Sequence, residues 1–429
     1  MSQNKLPKIA VVTLGCKVNQ YDGDAMLAIF NEAGFEVAEG FEAADIYVLN
    51  TCAVTAEAEK KSRQAVSRLL KLNPSASVYV CGCASQNNFL QFAKSGVQFI
   101  SGTDGKTRLA REIVAKYISD KDFIACVAEE SRFKISNEFE DNDGVYNLRT
   151  RHFIKVQDGC DNYCNYCLIP YLRGHSRSRS LDSILRELDS VKSVVKEVVV
   201  TGINLSAYGL DSGSSLTELI LKLKRYPSLR IRLGSLEVGV ITEEFLQATK
   251  QLKHFCPHFH LSLQSGDDSV LLAMNRHYNT AEYLAAANMI RSYYPSASIT
   301  TDIIVGYPTE TEEMFENSMA FARKVGFSDI HVFSYSSRRG TVAGRMPVLP
   351  ASTVADRQCR LSAVKRELVG NYLNTCIGMP QQVLFETETD GLWVGHTPNY
   401  VKVYSRSGKH NVVRTITPKR RYEDGLIDE

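Results

Sequence analysis

The stretch HFIKVQDGCDNYCNYCLIPYLRG, residues 152–174, joins an apolar run to a loop that carries three cysteines. The apolar run HFIKVQD is a candidate β-strand. Cys160, Cys164 and Cys167 follow at its end with the spacing C-x3-C-x2-C. A structural zinc site normally closes its tetrahedron with a fourth Cys or His. A tight group of three thiolates therefore suggests a metal centre with one open position.

An alternation of strands and helices continues after this loop. The candidate strands are HFIKVQD, EVVVT, RIRLGSLE, HFHLSLQS, ITTDIIVG and DIHVFSYS, and helical patterns such as LTELILKLKRY separate them. Six strand–helix units are fewer than the eight of a closed barrel. We therefore predict a six-unit partial (β/α) barrel with a lateral opening for a large substrate. One long helix is predicted to follow, from Ala351 to about Ile377.

The first hundred residues show a second alternation of the same kind. The apolar runs KIAVVTLG, ADIYVLN and SVYVCGC are separated by helical patterns near Asp24 to Ala33 and Glu57 to Leu72. Apolar strands separated by helices of this length favour a doubly wound parallel sheet. The sequence therefore predicts an α/β domain at the N-terminus.

Three cysteines lie just beyond the strands of this domain, at Cys16, Cys52 and Cys83. Ligands bind at the carboxyl ends of the strands in such sheets, so these cysteines could converge there. Cys81 is a rival for the third position. Because side chains alternate across a strand, only one of Cys81 and Cys83 can face the crevice, and we prefer Cys83 at the end of the run.

The pattern of the C-terminal sequence is different, because short candidate strands separated by turns follow one another in QQVLFETE, LWVGHT, YVKVYS and NVVRTIT. This pattern predicts a small all-β module. A polar, acidic stretch at 129–144 has little periodicity and is interpreted as a linker. The predicted organisation is an N-terminal domain at 1–120, a linker at 121–145, a barrel domain with its connecting helix at 146–377, and the β module at 378–429.

The bulk composition excludes several classes of protein. A chain of 429 residues with 44% hydrophobic residues favours two or three domains. The net charge of +2 gives no global basic field. Eleven cysteines, an odd number, without an apolar N-terminal segment argue against a secreted disulfide framework. We expect a protein of the reducing cytosol, without a membrane segment, since no apolar stretch approaches about 18 residues.

Five segments together resemble the radical S-adenosylmethionine methylthiotransferase family. They are TLGCKVNQYD, NTCAVTAEAEKKSRQ, GCASQ, GCDNYCNYCLIPYLRG and HFHLSLQSGDDSVLLAMNR, and they span nearly the whole chain. The resemblance implies that the barrel trio of cysteines holds a 4Fe-4S cluster whose open iron binds S-adenosylmethionine. It implies a second 4Fe-4S cluster on the N-terminal trio, and an RNA-binding TRAM domain in the β module. The alternatives are a zinc knuckle completed by His175, and buried structural cysteines at the N-terminal positions.

The resemblance also implies the reaction. Carbon 2 of an adenine ring is neither acidic nor readily attacked, so a radical is needed. Two molecules of S-adenosylmethionine per turnover are implied. One methylates sulfur at the second cluster, and the other is cleaved to a 5′-deoxyadenosyl radical that removes the ring hydrogen. The implied partners are a tRNA anticodon stem-loop and a low-potential electron donor, and we expect a monomer.

Candidate cofactor contacts follow the cluster loop and the later barrel strands. Tyr166 fills the family's aromatic position, expected against the adenine of the cofactor. Other candidates lie near strand ends, where barrel residues are commonly functional. They are Arg173, for a cofactor carboxylate or an RNA phosphate, Glu237, Gln264 and Ser265, for ribose and methionine, and Asp302 and Gly306, behind the adenine. Surface exposure of Arg173 and packing roles for the others are the alternatives. His258 and His260 are interpreted as structural histidines. No catalytic residue beyond the cluster ligands is predicted.

The β module carries a basic segment between Gly395 and Tyr422 that contains no acidic residue. A basic surface with aromatic rings suits phosphate contact and base stacking. The candidate RNA contacts are Tyr400, Lys402, Arg406 and Lys409. A solvated charged face is the alternative.

The substrate is predicted from three further stretches, TGINLSAYG, FSYSSRRGTVAGRMP and GHTPNYVKV, which look like the branch of the family that acts on N6-threonylcarbamoyladenosine next to the anticodon. A threonyl carboxylate is costly to bury without a cationic partner. Arg338, Arg339 and Arg345 are candidates for that role. The alternatives are N6-isopentenyladenosine in tRNA, an aspartate of a ribosomal protein, and a zinc-containing RNA-binding protein without catalysis.

Overall fold

The computed structural model describes residues 6–119, 132–142 and 149–429, which form two compact units. The first unit contains the described residues of Met1–Leu148 together with Gln157–Asp161 and Cys167–Ser190. The second contains Arg149–Val156, Asn162–Tyr166 and Val191–Glu429. Among the described residues, no helix combines the length and the apolar character needed to cross a bilayer.

The first unit is built on a parallel sheet of order β2-β1-β3-β4-β5. Its strands are β1 (Lys8–Thr13), β2 (Glu36–Glu39), β3 (Ile46–Thr51), β4 (Ser77–Gly82) and β5 (Val97–Ile100). Its helices are α1 (Lys17–Glu32), α2 (Ala56–Leu72), α3 (Cys83–Asn87) and α4 (Lys106–Ser119), followed later in the chain by α5 (Ile169–Arg173), the short strand β7 (Arg177–Ser178) and most of α6 (Leu181–Val191). The predicted doubly wound sheet is confirmed.

Both faces of this sheet are covered because its strands alternate two apolar sets. Ile9 and Val11 pack with α1 and α4, whereas Ala10 and Val12 pack with α2. The side chain of Thr55 caps the first turn of α2 by accepting a hydrogen bond from the amide of Ala58. The first helix begins at Lys17, earlier than its sequence pattern predicts.

Part of the predicted linker belongs to the first unit, although residues 120–131 and 143–148 lie outside the described residues. Gln86 Nε2 donates to the carbonyl of Phe133 at 2.9 Å. The amide of Thr107, in the first turn of α4, donates to Glu140 Oε1 at 2.9 Å. Residues 132–142 are thus bound to helices α3 and α4 of the first unit. The four-part domain division stays a prediction.

The second unit contains the strands of the predicted partial barrel, apart from the end of β6, and the helices that follow its second to sixth strands. Its strands are β6 (Arg151–Asp158, whose last two residues belong to the first unit), β8 (Glu197–Gly202), β9 (Arg230–Leu233), β10 (Ser235–Leu236), β11 (His258–Leu261), β12 (Ser298–Val305) and β13 (Asp329–Ser334). The helices are α7 (Leu216–Leu223), α8 (Glu243–Lys250), α9 (Asp268–Ala273), α10 (Thr280–Tyr293), α11 (Glu312–Val325) and the long α12 (Ala351–Cys376).

One predicted strand, RIRLGSLE, is divided into β9 and β10. Strand β9 continues the order β6-β8-β9, and β10 begins the parallel order β10-β11-β12-β13. Gly234 lies at the break, where its amide donates to the carbonyl of Val200 at 2.8 Å. A Cβ atom at this position would approach that carbonyl oxygen to 3.2 Å. The single predicted strand is therefore two short ones.

The predicted C-terminal β module is confirmed as a six-stranded sheet of order β17-β14-β15-β16-β19-β18. Its strands are β14 (Gln381–Thr389), β15 (Leu392–His396), β16 (Lys402–Ser405), β17 (Val412–Ile416), β18 (Arg420–Tyr422) and β19 (Gly425–Ile427). Their apolar side chains pack against the end of α12, at Leu373 and Cys376.

The β module is anchored at the amino ends of the barrel strands by a buried charged cluster. The Arg232 guanidinium donates to Glu197 Oε1 at 2.6 Å and to the carbonyl of Thr397 at 3.1 Å. The Tyr400 ring stacks between the rings of His258 and His396, with each pair of centroids 4.8 Å apart. Because the carboxyl ends of the strands stay free of this cluster, a ligand can be bound there.

Candidate active site

Cys52, one of the strand-end cysteines in the first unit, lies against a close approach of the backbone at Gly15. Cys52 follows β3, and a Cβ atom at Gly15 would lie 2.7 Å from Cys52 Sγ. Gly15 also has φ of +105°, a conformation that side chains disfavour. Glycine is thus required beside this sulfur. Asn19 holds the same corner together by donating to the carbonyls of Leu14 and Thr51, both at 2.9 Å.

The sulfurs of Cys16, Cys52 and Cys83 are close enough for their charges to interact. Burial is the main cause that raises the pKa of Cys52 to about 11, the charges of Cys83 and Cys16 contribute to this rise, and Arg173 opposes it. Three thiolates are therefore costly here without a cationic centre, which is what a bound metal group supplies.

The spacing of these sulfurs distinguishes between kinds of metal centre. Among the described residues, one group of three possible metal ligands has its ligand atoms within 4.8 Å of one another. It consists of His260, Asp302 and His331 and contains no cysteine. The sulfurs of a tetrahedral zinc site, with Zn–S of about 2.3 Å, lie about 3.8 Å apart. The sulfurs of the N-terminal trio therefore do not all lie within 4.8 Å of one another, a wider spacing than one zinc ion requires.

The rival cysteine, Cys81, points to the other face of the sheet. It is fully buried in the core formed with α1 and α4, whereas Cys83 belongs to the core on the α2 face. Burial raises the pKa of Cys81 to about 12. The structure therefore gives Cys81 a packing role and separates it from the side on which Cys83 lies.

Arg173, a predicted cofactor or phosphate contact, is 1% exposed and is not a surface arginine. Its Nη1 donates to both carboxylate oxygens of Asp158, at 2.9 and 3.0 Å, and its Nη2 donates to Asn19 Oδ1 at 2.5 Å. Burial opposes the charge of Arg173, but Asp158, Cys83 and Cys16 raise its pKa well above the usual value. Arg173 thus stabilises negative charge beside the N-terminal cysteines.

The cysteine loop at 160–167 is held at separate points. In the first unit, the amide of Cys160 donates to the carbonyl of Gly174 at 3.1 Å, and Cys167 Sγ accepts from the amide of Ile169 at 3.4 Å. In the second unit, Cys164 is 8% exposed and its Sγ accepts from Arg276 Nη1 at 3.1 Å.

Arg276 and Glu237 form a polar network beside Cys164. Arg276 Nη2 lies 3.0 Å from Glu237 Oε1, and Asn162 Nδ2 donates to the same oxygen at 2.6 Å. Burial opposes the charge of Arg276, but Tyr278 and other neighbours outweigh it and raise its pKa. The structure thus places the predicted residue Glu237 beside the cysteine loop. Sequence reasoning missed Arg276, whose only signal was its place in the stretch LLAMNR.

Tyr166, predicted to lie against an adenine, packs beside a buried apolar group that includes Val270, Met274 and Tyr307. The adjacent residue Asn165 fastens the loop to the end of α9, because its Nδ2 donates to the carbonyl of Ala273 at 2.8 Å. The loop and α9 are therefore fixed to each other.

The candidates on the later strands differ in their surroundings. Gln264 has φ of +71° and bridges to β12 through its backbone. Ser265 is fully buried and shares a hydrogen bond with Ser318 at 3.2 Å. The amide of Gly306 donates to Glu310 Oε2 at 2.7 Å. Asp302 lies beside His260 instead, with Nε2 and Oδ2 3.3 Å apart. The structure therefore joins Gln264 to Asp302 through their backbones, with the Gln264 amide donating to the Asp302 carbonyl at 2.8 Å, while the side chains of Ser265 and Asp302 have different partners.

The predicted RNA contacts are also divided. The Tyr400 ring is half-buried between two histidines, and Arg338 is buried, whereas Arg339, Arg345 and Lys409 are exposed. Lys402 pairs with Asp424, and Arg406 lies 2.7 Å from Glu429. The acids that neutralise these cations lie just beyond the segment that appears basic in the sequence. Exposed ion pairs are weak, so a phosphate could replace these acids.

Comparisons with known proteins agree with this geometry. The family model of the uncharacterized protein family UPF0004 matches residues 8–102, and that of the Radical SAM superfamily matches residues 154–322. Together they cover the N-terminal sheet and the strands that carry the cysteine loop and its partners.

Two solved structures resemble the chain in fold. The radical S-adenosylmethionine methyltransferase TsrM from Kitasatospora setae aligns with a TM-score of 0.58 and 14% identity, over 90% of this chain and 80% of its own. The cobalamin-dependent radical enzyme OxsB aligns with a TM-score of 0.54 and 12% identity, over 86% of this chain and 56% of its own. At these identities the likeness concerns the fold alone.

Curated relatives match over most of the chain. The threonylcarbamoyladenosine tRNA methylthiotransferase of Thermotoga maritima is 36% identical over 98% of this chain and 96% of its own length, and that of Bacillus subtilis is 33% identical over 96% and 93%. The tRNA-2-methylthio-N6-dimethylallyladenosine synthase of Bacillus subtilis is 31% identical over 94% of this chain and 79% of its own. The chain therefore belongs to the tRNA methylthiotransferase family of radical S-adenosylmethionine enzymes, whose cofactors are 4Fe-4S clusters and S-adenosylmethionine.

Proposed function

We propose that this enzyme adds a methylthio group to C2 of N6-threonylcarbamoyladenosine at tRNA position 37, next to the anticodon, giving 2-methylthio-N6-threonylcarbamoyladenosine. The observation that carries the proposal is the near-full-length similarity to relatives named for this base, at 36% and 33% identity. The stretches after the second and sixth barrel strands, and GHTPNYVKV in the β module, support the same branch.

Two sets of cysteines are proposed as cluster ligands. Cys160, Cys164 and Cys167 would hold the cluster that binds S-adenosylmethionine, and Cys16, Cys52 and Cys83 would hold the second one. When bound, these clusters and two molecules of S-adenosylmethionine supply the electron, the 5′-deoxyadenosyl radical and the methylthio group. The wide spacing of the N-terminal sulfurs supports the second assignment.

The chain's own residues position these groups and shield them from water. Arg276 donates a hydrogen bond to Cys164, and Glu237 orients Arg276 through their ion pair. We infer that Glu237 has room for a second role, in binding a cofactor hydroxyl, since its side chain is 30% exposed. Arg173 and Asp158 support the N-terminal site as a buried pair.

The tRNA contacts are proposed on exposed cations. Lys409 and Arg406 of the β module would contact the phosphate backbone of the anticodon stem-loop. Arg339 or Arg345 would pair with the threonyl carboxylate, because both are exposed after β13 and Arg338 is buried. A monomer in the reducing cytosol, served by a low-potential electron donor, is the proposed setting.

A second candidate substrate is N6-isopentenyladenosine. The specific observation in its favour is the 31% identity to a dimethylallyladenosine synthase over 94% of this chain. That relative is covered over 79% of its own length, against 96% for the first threonylcarbamoyl relative. The threonylcarbamoyl base is therefore the preferred substrate.

Nucleoside mass spectrometry of tRNA tests the proposal. In a strain that lacks this protein, we expect loss of 2-methylthio-N6-threonylcarbamoyladenosine with accumulation of its unthiolated precursor. Loss of the isopentenyl counterpart instead would contradict the substrate assignment and leave the chemistry intact.

A further inference from the structure

Three polar side chains of the second unit, on the neighbouring strands β11, β12 and β13, converge at one point. Asp302 and His331 are paired in register, and His260 Nε2 lies 3.3 Å from Asp302 Oδ2. The rings of His260 and His331 have centroids 5.7 Å apart, although β12 separates their strands. Strands two positions apart in a flat sheet lie about 9.6 Å apart. The side chains therefore meet on a concave face.

These groups have hydrogen-bonding capacity left over. The ring of His260 is oriented by Thr300, whose Oγ1 lies 2.9 Å from Nδ1. Within the described part of the chain, the Asp302 carboxylate has the ion pair with His260 but accepts no side-chain hydrogen bond, and a ring nitrogen of His331 lies within 4.8 Å of this carboxylate. His331 is exposed. The cluster therefore presents an acceptor and an imidazole to a ligand.

We propose that His260, Asp302 and His331 bind the polar N6 substituent of the tRNA base and select it over an apolar one. This inference rests on the proposed function. A threonylcarbamoyl group offers ureido N–H and hydroxyl donors to Asp302, and a carbonyl acceptor to His331. Its carboxylate is repelled by Asp302, so it points away, towards an exposed arginine.

An isopentenyl group offers no hydrogen bond to these side chains. Burying Asp302 and His331 against it would remove water from both without replacing its hydrogen bonds. Sites built to hydrogen-bond a substrate can reject an analogue that lacks the group by about 10⁴-fold. The cluster thus gives selectivity through the penalty on the wrong base.

A divalent cation such as Zn²⁺ is the rival ligand, because two imidazoles and a carboxylate also suit it. The substrate is favoured by Phe333, which lies two residues beyond His331 on the same face of β13 and is 42% exposed. An exposed aromatic ring serves base stacking and has no use in a metal site.

The test compares reconstituted full-length His331→Phe with wild type on two anticodon stem-loop RNAs, one carrying N6-threonylcarbamoyladenosine and one carrying N6-isopentenyladenosine. The readout is the ratio of kcat/KM for the two RNAs. We expect this ratio to fall by about tenfold or more in His331→Phe. His254→Phe, the same change in the loop before β11, is the matched control and should leave the ratio unchanged. Asp302→Asn should lower the ratio too, and it replaces His331→Phe if that variant loses iron.

The outcomes separate the inference from the proposed function. Wild type that is active on the threonylcarbamoyl RNA, together with an unchanged ratio in both variants, would overturn the inference alone. Wild type that modifies only the isopentenyl RNA would overturn both. Elemental analysis that finds one non-iron divalent metal per chain in wild type and none in His331→Phe would replace the substrate site with a metal site.

Discussion

Replacing Arg276 by Met should make the reduction potential of the cluster at Cys160, Cys164 and Cys167 more negative. The Arg276 guanidinium donates to Cys164 Sγ at 3.1 Å from a nearly buried position. A cation and a hydrogen bond at a ligand sulfur stabilise the reduced cluster, which carries one more negative charge. Removing them favours the oxidised form.

The size of the shift follows from the strength of the contact. Hydrogen bonds to charged groups are worth about 1.5–3 kcal/mol. If about half of that strength applies only to the reduced cluster, the loss is about 0.8–1.5 kcal/mol, or about 30–65 mV for one electron. Arg276→Lys keeps the charge and should shift the potential less. Glu237→Gln removes a nearby negative charge and should shift it in the opposite direction.

The assay is an anaerobic redox titration followed by electron paramagnetic resonance, on protein with a verified iron content. It is done in a background lacking the N-terminal cysteine trio, so that one cluster contributes the signal. An Arg276→Met variant with full iron and an unchanged potential would refute the reasoning, as would equal shifts in the Met and Lys variants.

Three further outcomes are expected. Changing the N-terminal trio of cysteines together to Ala should reduce bound iron from about eight to about four atoms per chain. Methylthiolation should be abolished, while reductive formation of 5′-deoxyadenosine continues. Cys81→Ala should keep its iron, and loss of iron there would assign the third ligand to Cys81 instead of Cys83. Arg173→Met should lower the free energy of unfolding by about 3–5 kcal/mol, because it leaves the buried Asp158 carboxylate without its ion-pair partner. Thermal melts that match wild type would contradict the buried ion pair. Tyr400→Ala should destabilise the protein by about 3 kcal/mol through lost packing, whereas Lys409→Glu should weaken tRNA binding in gel shifts without changing the melting temperature. Weaker tRNA binding by Tyr400→Ala with an unchanged melting temperature would indicate that Tyr400 contacts RNA.

The sequence was informative where apolar periodicity acts locally. Runs such as KIAVVTLG and SVYVCGC predict the buried parallel strands, and the alternation of side chains predicts that Cys81 and Cys83 point to opposite faces. The split at Gly234 was not predictable, because it depends on how closely the backbone of another strand approaches. Periodicity within one segment carries no such information.

The polar partners were the harder part of the site. Arg173 was expected to contact a ligand. In the fold its guanidinium is bound by Asp158, 15 residues before it, and by Asn19, 154 residues before it. Tyr400 lies in a basic segment of the sequence, but its ring stacks against His258 and is only partly exposed. Long-range pairing of this kind leaves no local pattern in a single sequence.

The central claim is tested most directly by incubating the anaerobically reconstituted enzyme, with reductant and S-adenosylmethionine, with anticodon stem-loops that differ only in the N6 group of adenosine 37. Mass spectrometry of the digested RNA then gives the product. The account predicts 2-methylthio-N6-threonylcarbamoyladenosine from the threonylcarbamoyl RNA, with much slower conversion of the isopentenyl RNA. Efficient methylthiolation of the isopentenyl RNA alone would contradict it.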